Sequence, residues 1–194
     1  MTRWAPILAN LVLFDVLWTL AVLGAGKTWW WAAPALILVS ASVQVCRSPA
    51  PGAEARLIIL GAAAGVGLDC TAHALGLFRY ASPSTAQFVA VFAALWINFG
   101  TLLRPGLRWL WRRPLLAALL GGAGGPLAYW TAARLGAIAP SEPAWRAFAW
   151  CAAQYALALP LWCAAASAVF RNAARSVQPA TSIAPPRPPG TQGL

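Results

Sequence analysis

The chain has 194 residues, of which 60% are hydrophobic and only 9% are charged. A soluble domain carries about 25% charged residues, so the composition excludes an ordinary soluble enzyme or binding module. The net charge of +10 could indicate a nucleic-acid partner, but the arginines lie in short segments beside apolar runs, where anionic lipid head groups would meet them. We therefore expect the lipid bilayer, and not nucleic acid, as the partner of these basic residues.

The first apolar run covers residues 6–24 and ends in small residues, as a cleaved signal peptide does. It is longer than the apolar core of a signal peptide, and it carries Asp15. We interpret it as a first transmembrane helix that is retained.

Five more apolar runs follow that are long enough to cross the hydrocarbon layer of roughly 30 Å. They predict helices near residues 29–45, 56–76, 86–103, 114–132 and 145–170. The predicted fold class is all-α, a polytopic membrane bundle of about six transmembrane helices in one domain over residues 1–172, without an evident internal repeat. Segment 173–194 is rich in proline and has little to bury, which predicts a disordered cytoplasmic tail.

Arginine and lysine are distributed unequally between alternate connecting segments. One side of the predicted bundle holds Arg3, Arg47, Arg56, Arg104, Arg108, Arg112, Arg113, Arg171, Arg175 and Arg187, and the other holds only Lys27, Arg79, Arg134 and Arg146. Because cytoplasmic segments carry the excess of basic residues, this distribution predicts that both termini are cytoplasmic.

Ionisable side chains are costly inside lipid, so the search for a site begins with Asp15, Asp69 and His73. Asp69 and His73 are four residues apart and share one face of the third predicted helix, where the carboxylate could orient the imidazole. In the alternative interpretation these side chains only fix helix packing. The same two interpretations, a substrate contact or an interhelical hydrogen bond, apply to Asn10 and Asn98.

Small residues recur at a spacing that favours close approach of helices. Gly61 and Gly65 lie on the third predicted helix, and Gly121 and Gly125 lie on the fifth. The small-x-x-x-small spacing of both pairs predicts tight helix packing at these positions.

Several classes of chemistry lack the residues that they require. The chain has one histidine and four cysteines without C-x-x-C spacing, so we predict no metal site and no cofactor. It has no G-x-S-x-G elbow and no phosphate-binding glycine-rich loop. These absences favour a protein that is not an enzyme, and no residue is assigned a catalytic role.

Several short motifs together resemble a known family. They are Asn10-x-x-x-Phe14-x-x-x-Trp18 followed by Gly24-Ala25, then Leu68-Asp69, Trp96-x-Asn98-Phe99 with Leu102, Gly124-Gly125-Pro126-Leu127-Ala128-Tyr129, and Arg134-Leu135-Gly136-Ala137. In this order they resemble a bacterial inner-membrane family, domain of unknown function 2878. The resemblance runs from about Asn10 to the sixth predicted helix.

The resemblance implies a small multi-pass protein of the bacterial inner membrane without an established activity. It also implies an association with enzymes that modify membrane fatty acids, so a membrane-lipid-modifying enzyme is the expected protein partner. The motifs include Asn10, Asp69, Asn98, Tyr129 and Arg134, which therefore join the candidate functional residues.

Three hypotheses follow. The first is an accessory, non-enzymatic component of membrane-lipid modification. The second is a membrane-embedded enzyme or lipid-binding protein in which Asp69 acts with Asn98, Tyr129 and Arg134 on a lipid head group. The third is a small carrier or channel that uses Asp15 and Asp69 as a proton or cation path.

Overall fold

A computed structural model describes residues 5–82 and 84–177. Six α-helices account for most of this part of the chain, which confirms the predicted helical bundle. They are α1 (Ala5–Gly24), α2 (Ala32–Cys46), α3 (Pro51–Ala74), α4 (Thr85–Leu102), α5 (Pro114–Arg134) and α6 (Trp145–Val177). A short 3₁₀ turn, Arg108–Leu110, lies between α4 and α5.

Two helices extend beyond the predicted boundaries by five residues or more. Helix α3 begins at Pro51 instead of residue 56, because proline suits the first turn of a helix and Glu54 is paired inside the bundle. Helix α6 continues to Val177, five residues into the segment predicted to be a disordered tail. The rest of that segment, 178–194, lies outside the described residues.

The helices have the length and surface of membrane-spanning segments. Five of the described helices are long and apolar enough to cross a membrane, and α2 is a shorter apolar helix. Large apolar side chains face outward, for example Leu115 at 81% exposure and Leu119 at 71%. Lipid is the solvent that accepts such a surface, so the chain is a multi-pass membrane protein.

Helix packing places α4 near the centre of the bundle. Helix α4 packs against α1, α2 and α3, while α3 also packs against α6, and α6 packs closely against α5. Helices α1 and α5 do not pack closely against each other. A space between α1 and α5 results.

The chain repeats one local pattern after α3 and after α5. Gly76 and Gly136 each follow the helix with a positive φ, of 66° and 81°, a conformation that favours glycine. Each glycine leads into a three-residue strand, β1 (Phe78–Tyr80) or β2 (Ile138–Pro140), and the two strands pair antiparallel. The two segments therefore share one local arrangement of helix, glycine and strand.

The paired strands define one side of the bundle, here called the hairpin side. The opposite side, here called the arginine side, carries the ends of α2 and α4 and the start of α5. Arg104, Arg108, Arg112 and Arg113 lie there, between α4 and α5.

Candidate functional site

The carboxyl group of Asp69 lies buried in the bundle, with 1% of the residue exposed. The indole Nε1 of Trp96 donates a hydrogen bond of 2.6 Å to Oδ2, and the hydroxyl of Tyr129 donates to Oδ1. Both donors are neutral, and among the described residues the carboxyl forms no ion pair. Two donors from α4 and α5 therefore hold this carboxyl of α3 in place.

Asp69 and Tyr129 occupy equivalent places in the repeated pattern. Each stands about two helical turns before the glycine that ends its helix, Gly76 or Gly136. Because α3 and α5 both run from the arginine side to the hairpin side, this spacing brings the two side chains to the same depth. That depth is roughly 8 Å from the hairpin-side ends of the helices.

Gly65 positions the indole of Trp96. A Cβ atom at Gly65 would overlap the Trp96 ring at Cδ2 and Cε2, so only glycine lets the indole lie against the backbone of α3. Gly65 is about one turn before Asp69, and the indole nitrogen reaches the carboxyl from there. Gly65 thus serves tight packing within the chain, whereas a Cβ atom at Gly61 would make only an ordinary contact with Trp162, 3.5 Å away.

Tyr155 of α6 connects the two donors. Its ring stacks on Trp96 with centroids 5.3 Å apart and meets Tyr129 at 6.2 Å. A Cβ atom at Gly125 would come within 2.6 Å of the Tyr155 ring, and one at Gly121 would overlap the Tyr155 carbonyl. These two glycines therefore let α5 and α6 approach closely, which fixes the aromatic side chains around Asp69.

A cavity of about 290 Å³ adjoins the carboxyl. It extends along α1, α4, α5 and α6, and the strand residues Tyr80 and Ile138 line it at the hairpin side. Its lining is mainly aliphatic and aromatic, with Asp69 and Ser82 as polar exceptions besides the tyrosine and tryptophan polar atoms. Among the described residues that line it there is no lysine, arginine or histidine. Helices α1 and α5 both line the cavity, although they do not pack closely against each other.

Tyr80 of β1 contributes an unused polar group to this cavity. Its hydroxyl is buried and has no hydrogen-bond partner among the described residues. Burial, and to a lesser degree the charge of Asp69, raise the pKa of Tyr80 well above its ordinary value. The hydroxyl therefore keeps its proton and can both donate and accept.

The structure does not join Asp69 to His73. Although the two residues are one turn apart on α3, Asp69 is turned into the bundle and His73 is exposed. The imidazole lies instead against the rings of Tyr80 and Phe88, with centroids 5.4 and 5.3 Å away. The proposed carboxylate–imidazole pair is corrected to a carboxyl held by Trp96 and Tyr129.

The remaining predicted site residues lie apart from this carboxyl. Asp15 is exposed on α1 and does not line the cavity. Asn98 is buried and donates to the carbonyl of Phe14 at 3.0 Å, so it joins α4 to α1. Arg134 is exposed at the hairpin side, with its guanidinium 5.8 Å from the Trp130 ring.

A second buried acid, Glu54, lies in α3 but before the predicted start of the third helix, so the apolar run does not indicate it. Glu54 is 2% exposed, pairs with Arg104 Nε at 2.8 Å and accepts from Gln44 Nε2 at 2.8 Å. Asn10 donates to the same glutamine at 3.4 Å. This network joins α1, α2 and α3 to the segment that follows α4 at the arginine side, and Asn10 takes part in helix packing there.

No group of three histidine, cysteine or acidic side chains that could hold a metal ion occurs within the described ranges. Cys151 and Cys163 are buried on α6, and the four cysteines are not joined in disulfides. Within these ranges, the site offers a ligand hydrogen-bonding groups and an apolar surface.

Comparison with known protein families identifies a match over residues 7–161, which is most of the chain. The family is described as "Protein of unknown function (DUF2878)". The chain belongs to the DUF2878 family. The match includes Asp69, Trp96 and Tyr129, so the carboxyl site of this DUF2878 protein lies within the family region. Comparison with curated proteins and with solved structures finds no match.

Proposed function

We propose that this DUF2878 protein binds a membrane lipid, with a hydrocarbon chain in the cavity and the polar end of the lipid near Asp69. The observation that carries the proposal is an apolar cavity inside a membrane bundle with one buried carboxyl at its hairpin end. Ligand pockets typically combine an apolar lining with a few polar groups that orient the ligand.

The dimensions of the cavity suit a chain. On α5 its lining extends from Leu120 to Ala132, a rise of roughly 18 Å along the helix axis. On α4 the lining extends from Val91 to Leu102. A space this long and apolar, lined by both α1 and α5, can hold a hydrocarbon chain without exposing it to water.

The family resemblance points to the same cavity. Each of the five sequence blocks that resemble the family contributes to its lining, although the blocks are separated along the chain. The lining residues from these blocks are Phe14, Trp18, Ala25, Asp69, Trp96, Phe99, Leu102, Gly124, Gly125, Ala128, Tyr129 and Ala137.

We further propose that the bound lipid is held for a membrane-lipid-modifying enzyme, as the resemblance implies, and that the site carries out no chemistry itself. Asp69 is already bonded to Trp96 and Tyr129. A catalytic base there is the alternative, and it predicts that Asp69→Asn cells accumulate an unmodified lipid while the bound lipid is retained.

A carrier or channel path through both aspartates has less support. Asp15 faces the outside of α1, whereas Asp69 faces the cavity on the other side of that helix.

We also propose that the protein lies in a bacterial inner membrane with the arginine side and both termini in the cytoplasm. The excess of arginine on that side supports this orientation.

The test is the lipid content of two purified glycine variants. Gly124 lines the cavity and Gly67 lies on α3 outside it, and a Cβ atom at either position would meet nothing within 4 Å. Gly124→Leu therefore adds an apolar side chain at the cavity lining, starting from a Cβ atom that meets no neighbour, and Gly67→Leu is its matched control. Native mass spectrometry should show bound lipid lost from Gly124→Leu and kept by Gly67→Leu. Equal lipid occupancy in both variants would contradict the proposal.

A further inference from the structure

The polar atoms of the cavity are gathered at its hairpin end. Asp69 and Tyr129 lie roughly 8 Å from the helix ends there. Tyr80 is the last residue of β1, and Ser82 lies two residues after it. The part of the lining nearer the arginine side is supplied by Phe99, Leu102, Leu107 and Leu120, among others, and is apolar. A lipid that binds with its chain toward the arginine side therefore presents its head to the hairpin end.

The charges at this end do not suit an anionic head. Asp69 is the only ionisable acid or base of the described lining apart from its tyrosine hydroxyls, and no cation faces it there. Arg79 and Arg134 are on the hairpin side but exposed, and neither lines the cavity. A phosphate or carboxylate buried at this end would have no compensating cation, and a buried anion without one is costly.

The hydrogen-bonding groups at this end do suit a hydroxyl. Each Asp69 oxygen accepts one bond and has a lone pair left for another. The Tyr80 hydroxyl is buried without a partner among the described residues. An alcohol can donate to a carboxyl and accept from a phenol, whereas an ammonium can only donate.

We propose that the lipid of this site is a neutral long-chain lipid whose head bears hydroxyl groups. This inference rests on the proposed function, because it names the head of the lipid whose chain fills the cavity. Anionic phospholipids and ionised fatty acids are excluded from the cavity by the same argument, although they remain free to bind at the arginine side.

A panel of ligands with the same chain and different heads tests the inference. Purified protein, freed of lipid, is titrated by native mass spectrometry with hexadecanol, hexadecane, hexadecylamine, hexadecanoic acid above pH 8 and hexadecyl phosphate. We expect hexadecanol to bind about tenfold tighter than hexadecane, the difference that one satisfied hydrogen bond gives, and the two anionic ligands to bind weakest. Tyr80→Phe should reduce the preference for hexadecanol and leave the affinity for hexadecane unchanged.

The outcomes separate the two proposals. If none of the five ligands binds in a manner sensitive to Gly124→Leu, the proposed function itself fails. If hexadecane and hexadecanol bind with equal affinity and Gly124→Leu weakens both, the lipid site stands and the proposed preference for a hydroxyl head is refuted. If hexadecylamine or an anionic ligand binds more tightly than hexadecanol, the preference for a hydroxyl head is also refuted. An unchanged preference for hexadecanol in Tyr80→Phe removes Tyr80 from head recognition.

Discussion

Replacing Gly65 with alanine would place a methyl group inside the space that the Trp96 indole occupies. The Cβ atom would overlap the ring carbons, so the indole must move away from α3. Since Trp96 Nε1 lies 2.6 Å from Asp69 Oδ2, this movement withdraws one of the two donors from a buried carboxyl. The variant therefore tests whether Gly65 positions the site.

The size of the effect follows from two costs and one gain. Overpacking a tight interior costs about 1–3 kcal/mol, and a lost hydrogen bond to a carboxylate costs about 1.5–3 kcal/mol. Alanine gains up to about 1 kcal/mol over glycine in a helix. The net loss of about 1.5–5 kcal/mol corresponds to a fall of roughly 3–20 °C in Tm for a chain of this length.

Gly67→Ala is the matched control, because it lies on the same helix and its Cβ atom would meet nothing within 4 Å. Its Tm in detergent should be unchanged or slightly higher than that of the unmodified protein. Trp96→Leu should make the cost of Gly65→Ala smaller, because the overlapping ring is gone. Equal Tm values for Gly65→Ala and Gly67→Ala would refute the positioning role.

Three further changes have defined outcomes. Tyr129→Phe removes the hydroxyl that donates to Asp69, and should lower the free energy of unfolding by about 1.5–3 kcal/mol in urea titrations. Glu54→Gln weakens the buried ion pair at the arginine side and should lower Tm by several degrees, while exposed Glu142→Gln should leave Tm unchanged; equal effects would contradict this contrast. Cys46 is exposed at the arginine side, so a membrane-impermeant maleimide should label it in inside-out vesicles and not in intact cells; the reverse pattern would overturn the proposed orientation.

The bundle could be predicted because apolar run length and composition decide which segments enter a membrane. The six apolar runs correspond to six helices, of which α3 and α5 each begin with a proline and are followed by a glycine of positive φ. The apolar runs do not indicate that Glu54 is inside the bundle. A charged residue ends an apolar run unless its partner is known, and Arg104 is fifty positions away.

The composition of the site was predictable only in part. A carboxyl in an apolar helix signals a site, and Asp69 is one, but the helical spacing that suggested His73 says nothing about which residue turns inward. The partners Trp96 and Tyr129 come from other helices, so their proximity depends on tertiary packing. The close approach of Gly65 to Trp96, which brings the indole to Asp69, has no local signature beyond a glycine spacing that many packed helices share.

The most direct test of lipid binding in the cavity is photocrosslinking with a hexadecanol that carries a diazirine at the end of its chain. With the head near Asp69, the chain end should lie at the arginine-side part of the cavity, and peptide mass spectrometry should find the label on Leu102, Leu107 or Leu120. Gly124→Leu should abolish this labelling, and Gly67→Leu should not. Labelling confined to lipid-facing residues such as Leu115 and Leu119, and unaffected by Gly124→Leu, would contradict the account.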